Sequence, residues 1–182
     1  MEIKENLLKG ENIEEKRTPN LYSPPQFKLP DLPDSIVIHY TAMSKASDAV
    51  KALTNKNIRA SAHLVMARDG KIFQLAPFNY RTWHAGKSAF NGRSGYNHYS
   101  IGIEIDNLGW LEKYDGFYSR PELIDHNIKI NEDDVLSANH KNPRVKKKFW
   151  HKYTDIQVCL LLNQCIRNLM FSPSNRCHIS HR

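Results

Sequence analysis

Nine histidines occur in this 182-residue chain, and three of them stand where strands or strand edges would present them. His39 ends the run Ser35-Ile-Val-Ile-His-Tyr, His63 lies in Ala62-His-Leu-Val-Met-Ala, and His84 lies in Trp83-His-Ala-Gly. In Ser100-Ile-Gly-Ile-Glu-Ile-Asp, Ile101, Ile103 and Ile105 alternate with Gly102, Glu104 and Asp106. A strand there would bury the isoleucines and turn Glu104 to the opposite face. His178 and His181 come after the last helical pattern. Taken singly, each of these histidines is more often a hydrogen-bonded structural residue than a ligand. Taken together they are the parts from which zinc hydrolases are built: nitrogen or oxygen ligands for the metal, an open position for water and a carboxylate to take the proton.

The elements that must position these groups can be read from hydrophobic patterning. Ser35–Tyr40 is a short β-branched run bounded by turn formers, which marks a buried strand. A helix follows, with Ser44 able to cap it and Ala46, Ala49, Val50 and Leu53 on one face. The segments 62–67 and 71–76 flank Arg68-Asp69-Gly70, where Asp-Gly supplies the positive φ values of a tight hairpin. The stretch from Asn107 to Tyr153 reads as polar and irregular, an insertion that shapes a groove or lies on the surface. Thr154 and Gln157 form a capping box that opens a helix through Leu160, Leu161, Cys165 and Leu169. Cys159 and Cys165 read as core packing. From Met1 to Leu32 the chain is charged and then proline-rich, with no apolar periodicity, so residues 1–32 are expected to form an extended or disordered arm.

Composition bounds the rest. With 40% apolar and 25% charged residues, the chain belongs among ordinary globular proteins with one domain. No stretch is long enough to span a bilayer, and the charged N-terminus does not read as a secretory signal, so a cytoplasmic location without a signal peptide is expected. Three cysteines, an odd number, argue against a disulfide framework. The net charge of +7 favours an anionic partner without identifying it, and the basic run 144–148 reads as a solvated loop. Neither nucleic acid nor membrane is expected as a partner, and the chain is expected to be a monomer.

The residues also resemble a known family. Ile36-Val-Ile-His-Tyr-Thr-Ala, Ser61-Ala-His-Leu-Val-Met-Ala-Arg-Asp-Gly-Lys-Ile-Phe-Gln-Leu, Trp83-His-Ala-Gly and Asn97-His-Tyr-Ser-Ile-Gly-Ile-Glu-Ile-Asp-Asn occur in the order found in zinc-dependent N-acetylmuramoyl-L-alanine amidases of the amidase-2 type. That group includes anhydro-muropeptide amidases, phage lysozyme-amidases and peptidoglycan recognition proteins. The resemblance implies an α/β fold, a single domain over residues 33–182 with a central mixed β-sheet flanked by helices. It implies hydrolysis of the amide between N-acetylmuramic acid and L-alanine in peptidoglycan or muropeptides, in wall recycling or in phage-type lysis with release from the cell.

Carried over residue by residue, the resemblance makes His39 and His178 zinc ligands and Glu104 the catalytic acid/base. Trp83 and His84 would line the muropeptide pocket, His63 would lie beside it, and Asn97 would brace the loop before the Glu104 strand. The family's third zinc ligand, an Asp or Cys in a segment after the second histidine, has no counterpart in Arg176-Cys-His-Ile-Ser-His-Arg. The domain is therefore expected to be incomplete at its C-terminus. The alternatives are a catalytically inactive peptidoglycan-binding module or a truncated, non-functional amidase.

Overall fold

The computed structural model of the chain describes residues 2–28, 32–162 and 176–179. Its centre is a six-stranded mixed sheet in the order β16-β5-β11-β6-β7-β3, formed by β3 (Ile13–Glu15), β5 (Ser35–Tyr40), β6 (Leu64–Met66), β7 (Ile72–Gln74), β11 (Ser100–Ile105) and β16 (Arg176–Ile179). The four strands β16, β5, β11 and β6 run parallel, β6 and β7 form an antiparallel hairpin, and β3 adds in parallel at the edge.

The alternation along β11 divides the sheet into two chemically different faces. Ile101, Ile103 and Ile105 join Ile36, Ile38, Leu64, Met66 and Ile72 in the main apolar cluster, against which Leu160 and Leu161 pack from α2 (Asp155–Leu160) and the residue after it. On the other face Val65 and Leu75 receive Ala46, Ala49 and Val50 of α1 (Ala46–Leu53), while Val37 packs with Ala85, Tyr96 and Tyr99. Helices therefore cover both faces, as the family resemblance implies. Among the described residues no helix is long and apolar enough to cross a membrane.

Several local expectations are met and others are corrected. The capping box on α2 is formed: the Thr154 hydroxyl accepts from Gln157 N–H (3.3 Å), and Gln157 Oε1 accepts from Thr154 N–H (3.0 Å). The helix is described as far as Leu160, and Cys165 and Leu169 lie outside the described residues. Cys159 is exposed on α2 rather than packed in the core. At α1 Ser44 does not act as cap. The N-cap position is Lys45, and the N–H of Ala46 is taken by the Asp106 carboxylate at 2.9 Å, a partner 60 residues away that local pattern could not reveal. The β6–β7 turn has only Gly70 at positive φ (+85°), with Gly70 N–H donating to Ala67 and Ala67 N–H to Lys71. It is thus a three-residue loop with one left-handed glycine, not the tight turn with two positive φ values.

The N-terminal segment is built into the structure to a degree its sequence did not suggest. β1 (Glu2–Lys4) and β2 (Leu7–Lys9) form a hairpin, β3 joins the main sheet, and β4 (Leu21–Gln26) pairs with β8 (Tyr80–Thr82). Leu8 and Phe27 are buried in the main cluster. Strands of three residues carry one or two inward side chains each, so they leave no periodicity to detect. The insertion is likewise ordered. β12 (Trp110–Tyr114), β13 (Phe117–Ser119), β14 (Val135–Ser137) and β15 (Phe149–His151) make a four-stranded antiparallel sheet over its own core of Leu108, Leu111 and Tyr118. Two-residue strands β9 (Ala89–Phe90) and β10 (Arg93–Ser94) complete the set. Of the basic run, Arg144, Lys146 and Lys148 are exposed, whereas Lys147 bonds Glu112 at 2.8 Å and lies over the Trp110 ring.

The seating of the N-terminal segment is testable. Leu8→Ala should lower unfolding stability by about 2–5 kcal/mol, the usual cost of emptying a buried leucine site. A change close to zero in denaturant unfolding would show that residues 2–9 merely trail from the domain.

Candidate active site

Parallel pairing of β5 and β11 sets His39 beside Glu104 and Val37 beside Gly102. Register partners on adjacent parallel strands project to the same face about 4.8 Å apart, so the imidazole and the carboxylate are neighbours near the C-terminal ends of both strands. β16 lies on the other side of β5, with His178 at the register position of Val37, two residues before His39. The backbone thus brings three of the residues singled out in sequence onto three consecutive strands. The side chain of His178 and the whole of His181 lie outside the described residues.

His84 stands over Gly102. A Cβ at Gly102 would lie 2.3 Å from His84 Cγ, so no residue with a side chain fits under the ring. Asn97, in the turn Tyr96–His98 just before β11, accepts from the backbone N–H groups of both His84 and Ala85 (3.0 and 2.8 Å) and bolts this loop to the sheet, the bracing role expected of it. His84 Nδ1 is 3.3 Å from His39 Nε2, and His84 Nε2 is 3.1 Å from Ser100 Oγ. Ser100 Oγ also donates to the carbonyl of Tyr96. Ser100 and Gly102 were missed as site residues in sequence, although a glycine inside a strand pattern is itself a signal of close approach.

The structure does not place His63 against a substrate. It is completely buried. Its Nδ1 accepts from Gly102 N–H (3.0 Å) with Thr82 Oγ1 at 3.2 Å, and its Nε2 donates to the Tyr80 carbonyl at 2.7 Å. Both nitrogens are consumed in tying β6, β8 and β11 together. Trp83 is occupied too. Tyr22 stacks on it at 3.9 Å, the Arg59 guanidinium lies 4.1 Å from the ring centroid, which requires the opposite face, and its indole N–H donates to the Leu21 carbonyl. Trp83 therefore clamps β4 to the His84 loop and leaves no ring face for a ligand.

A concavity does open at the same end of the sheet, with a volume of about 480 Å³. It is lined by Tyr40, which follows His39, by Asn107, by Trp150, His140 and Lys141 of the insertion, and by Tyr153. The insertion thus shapes a groove, as its length suggested, but with ordered strands. The Tyr153 phenol is pushed above its ordinary pKa by burial first, and then by the neighbouring Tyr40 and Glu104, although the residue is 39% exposed.

The donors fit zinc in kind: an imidazole at His39, a second histidine on the next strand, and a carboxylate alongside that need not be a ligand. Among the described residues no group of three or more His, Cys, Asp or Glu side chains converges on one point. A complete ligand set would therefore have to draw on the segment around His178.

This arrangement, a histidine and a glutamate paired across parallel strands of a mixed sheet, is that of a cell-wall amidase domain. The family described as N-acetylmuramoyl-L-alanine amidase matches residues 29–164, and the chain belongs to that family. It is similar to the 1,6-anhydro-N-acetylmuramyl-L-alanine amidase AmpD of Haemophilus influenzae, with 49% identity over 94 residues, 49% of this chain and 51% of that protein. Against AmpD of Citrobacter freundii identity is 44% over 35% of this chain and 34% of that one. The N-acetylmuramoyl-L-alanine amidase AmiD of Escherichia coli is 40% identical over 47% of this chain and 33% of its own length. The chain thus spans about a third to a half of the length of these relatives. Among solved structures, AmiD from E. coli in complex with the substrate anhydro-N-acetylmuramic acid-L-Ala-D-γ-Glu-L-Lys aligns at 34% identity with a TM-score of 0.41, covering 54% of this chain and 40% of that one. A selenomethionine AmpD derivative aligns at 28% identity with a TM-score of 0.46, covering 58% and 66%.

The buried histidine gives a prediction. Burial holds His63 at about 4, below its ordinary 6.5, against the opposing pull of the Tyr80 carbonyl. Between those values the unfolded chain binds a proton that the folded chain refuses, so stability rises with pH across the window. The contribution of His63 is present above about pH 6.5 and is lost as pH falls toward 4, amounting to about 3 kcal/mol at most. In an NMR titration the His63 ring should remain neutral from about pH 8 to about pH 5. A midpoint near 6.5 would show that the ring is not held as described.

Proposed function

We propose that the chain hydrolyses the amide between N-acetylmuramic acid and L-alanine in peptidoglycan fragments, with zinc held by His39 and His178 and with Glu104 as acid/base. The observation that supports this reading is the register pairing of His39 with Glu104 on β5 and β11, which sets a carboxylate one strand away from an imidazole. AmiD was solved with a muropeptide substrate, and we extend that substrate class to this chain.

When bound, zinc supplies Lewis-acid polarisation of the scissile carbonyl and lowers the pKa of its water. Glu104 takes a proton from the attacking water as its oxygen bonds to the carbonyl carbon. As the carbon–nitrogen bond breaks, Glu104 returns that proton to the departing amine of L-alanine, so that the carboxylate ends in its starting state. The isoleucine face behind β11 keeps the strand rigid and dry on one side, which fixes the position of the carboxylate. The concavity bordered by Tyr40, Trp150 and Tyr153 is of a size that holds small ligands. Its aromatic faces and the Lys141 ammonium suit a glycopeptide with free carboxylates.

Glu104→Gln should lower kcat for release of peptide from an anhydro-muropeptide by about 10²–10⁴-fold, with zinc content unchanged. Near-normal turnover in that variant would overturn the mechanism. His39→Ala should remove the zinc, and unchanged metal content would mean that the ligand is misassigned. A wild-type chain that binds muropeptide but takes up no zinc and releases no peptide would instead be a binding module.

A further inference from the structure

We infer that His84 is a positioning residue that determines which nitrogen of His39 meets the metal: it accepts the Nε2 proton of His39 and leaves Nδ1 as the ligating atom. The inference rests on the zinc reading above for its consequence, but its geometry can be argued from hydrogen positions alone.

A chain of polar groups runs from the Tyr96 carbonyl through Ser100 and His84 to His39. A carbonyl oxygen can only accept, so the single hydrogen of the Ser100 hydroxyl is spent on the Tyr96 carbonyl. Ser100 Oγ can then only accept from His84 Nε2, 3.1 Å away, so that nitrogen carries a hydrogen. In the neutral ring His84 Nδ1 holds a lone pair, and it faces His39 Nε2 at 3.3 Å. Two lone pairs at that distance would repel, so the His39 nitrogen carries the hydrogen between them.

Ring geometry separates this arrangement from one in which both nitrogens converge on a shared ion. The ring centroids are 5.6 Å apart and the nitrogens 3.3 Å apart. The difference is close to two ring radii, so the nitrogens lie on the line joining the rings and point at one another. Two ligands of one tetrahedral ion would instead be bent toward a point off that line. The two rings are joined by a straight N–H···N hydrogen bond, and neutral His39 therefore presents its lone pair at Nδ1.

Ligating histidines in proteins commonly donate their other ring N–H to a fixed acceptor, which sets tautomer and ring orientation. The acceptor is usually a carboxylate or a carbonyl. Here it is a second imidazole, itself fixed by Ser100 at one nitrogen, by Asn97 through its backbone and by the missing Cβ of Gly102 beneath it. This role also explains why His84 cannot line the substrate pocket as the family resemblance implied. Both of its ring nitrogens are engaged inside the protein, and the residue is 6% exposed.

The experiment uses the full chain. Long-range ¹H–¹⁵N spectra of the metal-free protein near pH 7.5 should show His39 and His84 both as Nε2–H tautomers. On zinc addition the His39 Nδ1 resonance should take the shift of a metal-bound nitrogen while Nε2 keeps its hydrogen. Zinc affinity, measured by competition with a chromophoric chelator, should fall about 10–100-fold in His84→Leu. It should stay within a few-fold of wild type in His84→Asn, whose amide oxygen occupies the place of Nδ1. An Nδ1–H tautomer for metal-free His39, metal bound at Nε2, or undiminished affinity in His84→Leu would each overturn the inference. If His84→Leu does not fold, the tautomers of the wild-type chain decide the matter. Failure of the wild type to take up zinc would sink the metal assignment instead, and the metal-free tautomer of His39 would still decide this proposal.

Discussion

Gly102 sits in the middle of β11, and the volume its side chain would fill is taken by the ring of His84. Its backbone N–H donates to His63 Nδ1, and its carbonyl accepts from His63 N–H. One residue without a Cβ thus holds two histidines, one by space and one by hydrogen bonds, and through His84 it reaches His39. Any side chain at this position would have to push His84 off its contacts with Ser100 and His39, because the loop above is tied to Asn97 and the strand below is central in the sheet. Between them these contacts hold β5, β6, β8, β11 and the His84 loop in one arrangement.

The two faces of the sheet divide the work between stability and chemistry. On the isoleucine side, apolar residues from β5, β6, β7 and β11 meet the second helix and Leu8, and the burial of that surface supplies the driving force for folding. On the other side, polar groups are buried, which costs free energy unless each finds a partner. His63, His84, Asn97, Ser100 and Thr82 satisfy one another or the backbone. Burial also keeps His63 neutral near physiological pH, so that ring carries no charge there that could compete with a cation near His39. A polar face of this kind is rigid because each member has few alternative partners.

Much of this was legible in sequence where the pattern is local. The isoleucine alternation in Ser100–Ile105 put Glu104 on the face opposite the core, and the capping box at Thr154 marked the start of α2. What could not be read were partners far apart in the chain. Asp106 caps α1 in place of Ser44, and Gln157 of the capping box also donates its amide to the Asp106 carbonyl, so helix starts on the two faces meet at one residue. His63, Trp83 and His84 were found by motif, but motif does not say whether a ring faces a ligand or the protein interior. Their hydrogen bonds do. The short strands of residues 2–26 and of the insertion escaped notice because each contributes too few inward residues to show a period, and their order comes from pairing with β7, β8 and one another.

The N-terminal segment bears on the site as well as on the core. Arg59, Trp83, Tyr22 and Arg81 form a stack in which each guanidinium lies over an aromatic ring, at 4.1 Å for Arg59 on Trp83 and 4.8 Å for Arg81 on Tyr22. Arg81 donates to the Pro24 carbonyl and contacts His98 Nδ1, while Tyr22 reaches His98 Nε2. Tyr22 and Pro24 belong to β4, whereas Trp83 immediately precedes His84. Cation–π and stacking contacts of this kind contribute about 0.5–1 kcal/mol each at exposed sites, too little to fold the domain but enough together to hold a loop. The loop that carries His84 is thus gripped on one side by Asn97 and on the other by a strand more than fifty residues upstream. Removing residues 21–26 would loosen the grip on Trp83 without touching any group that meets a metal or a substrate, and the alignment of His84 with His39 would then depend on Asn97, Ser100 and the fit over Gly102.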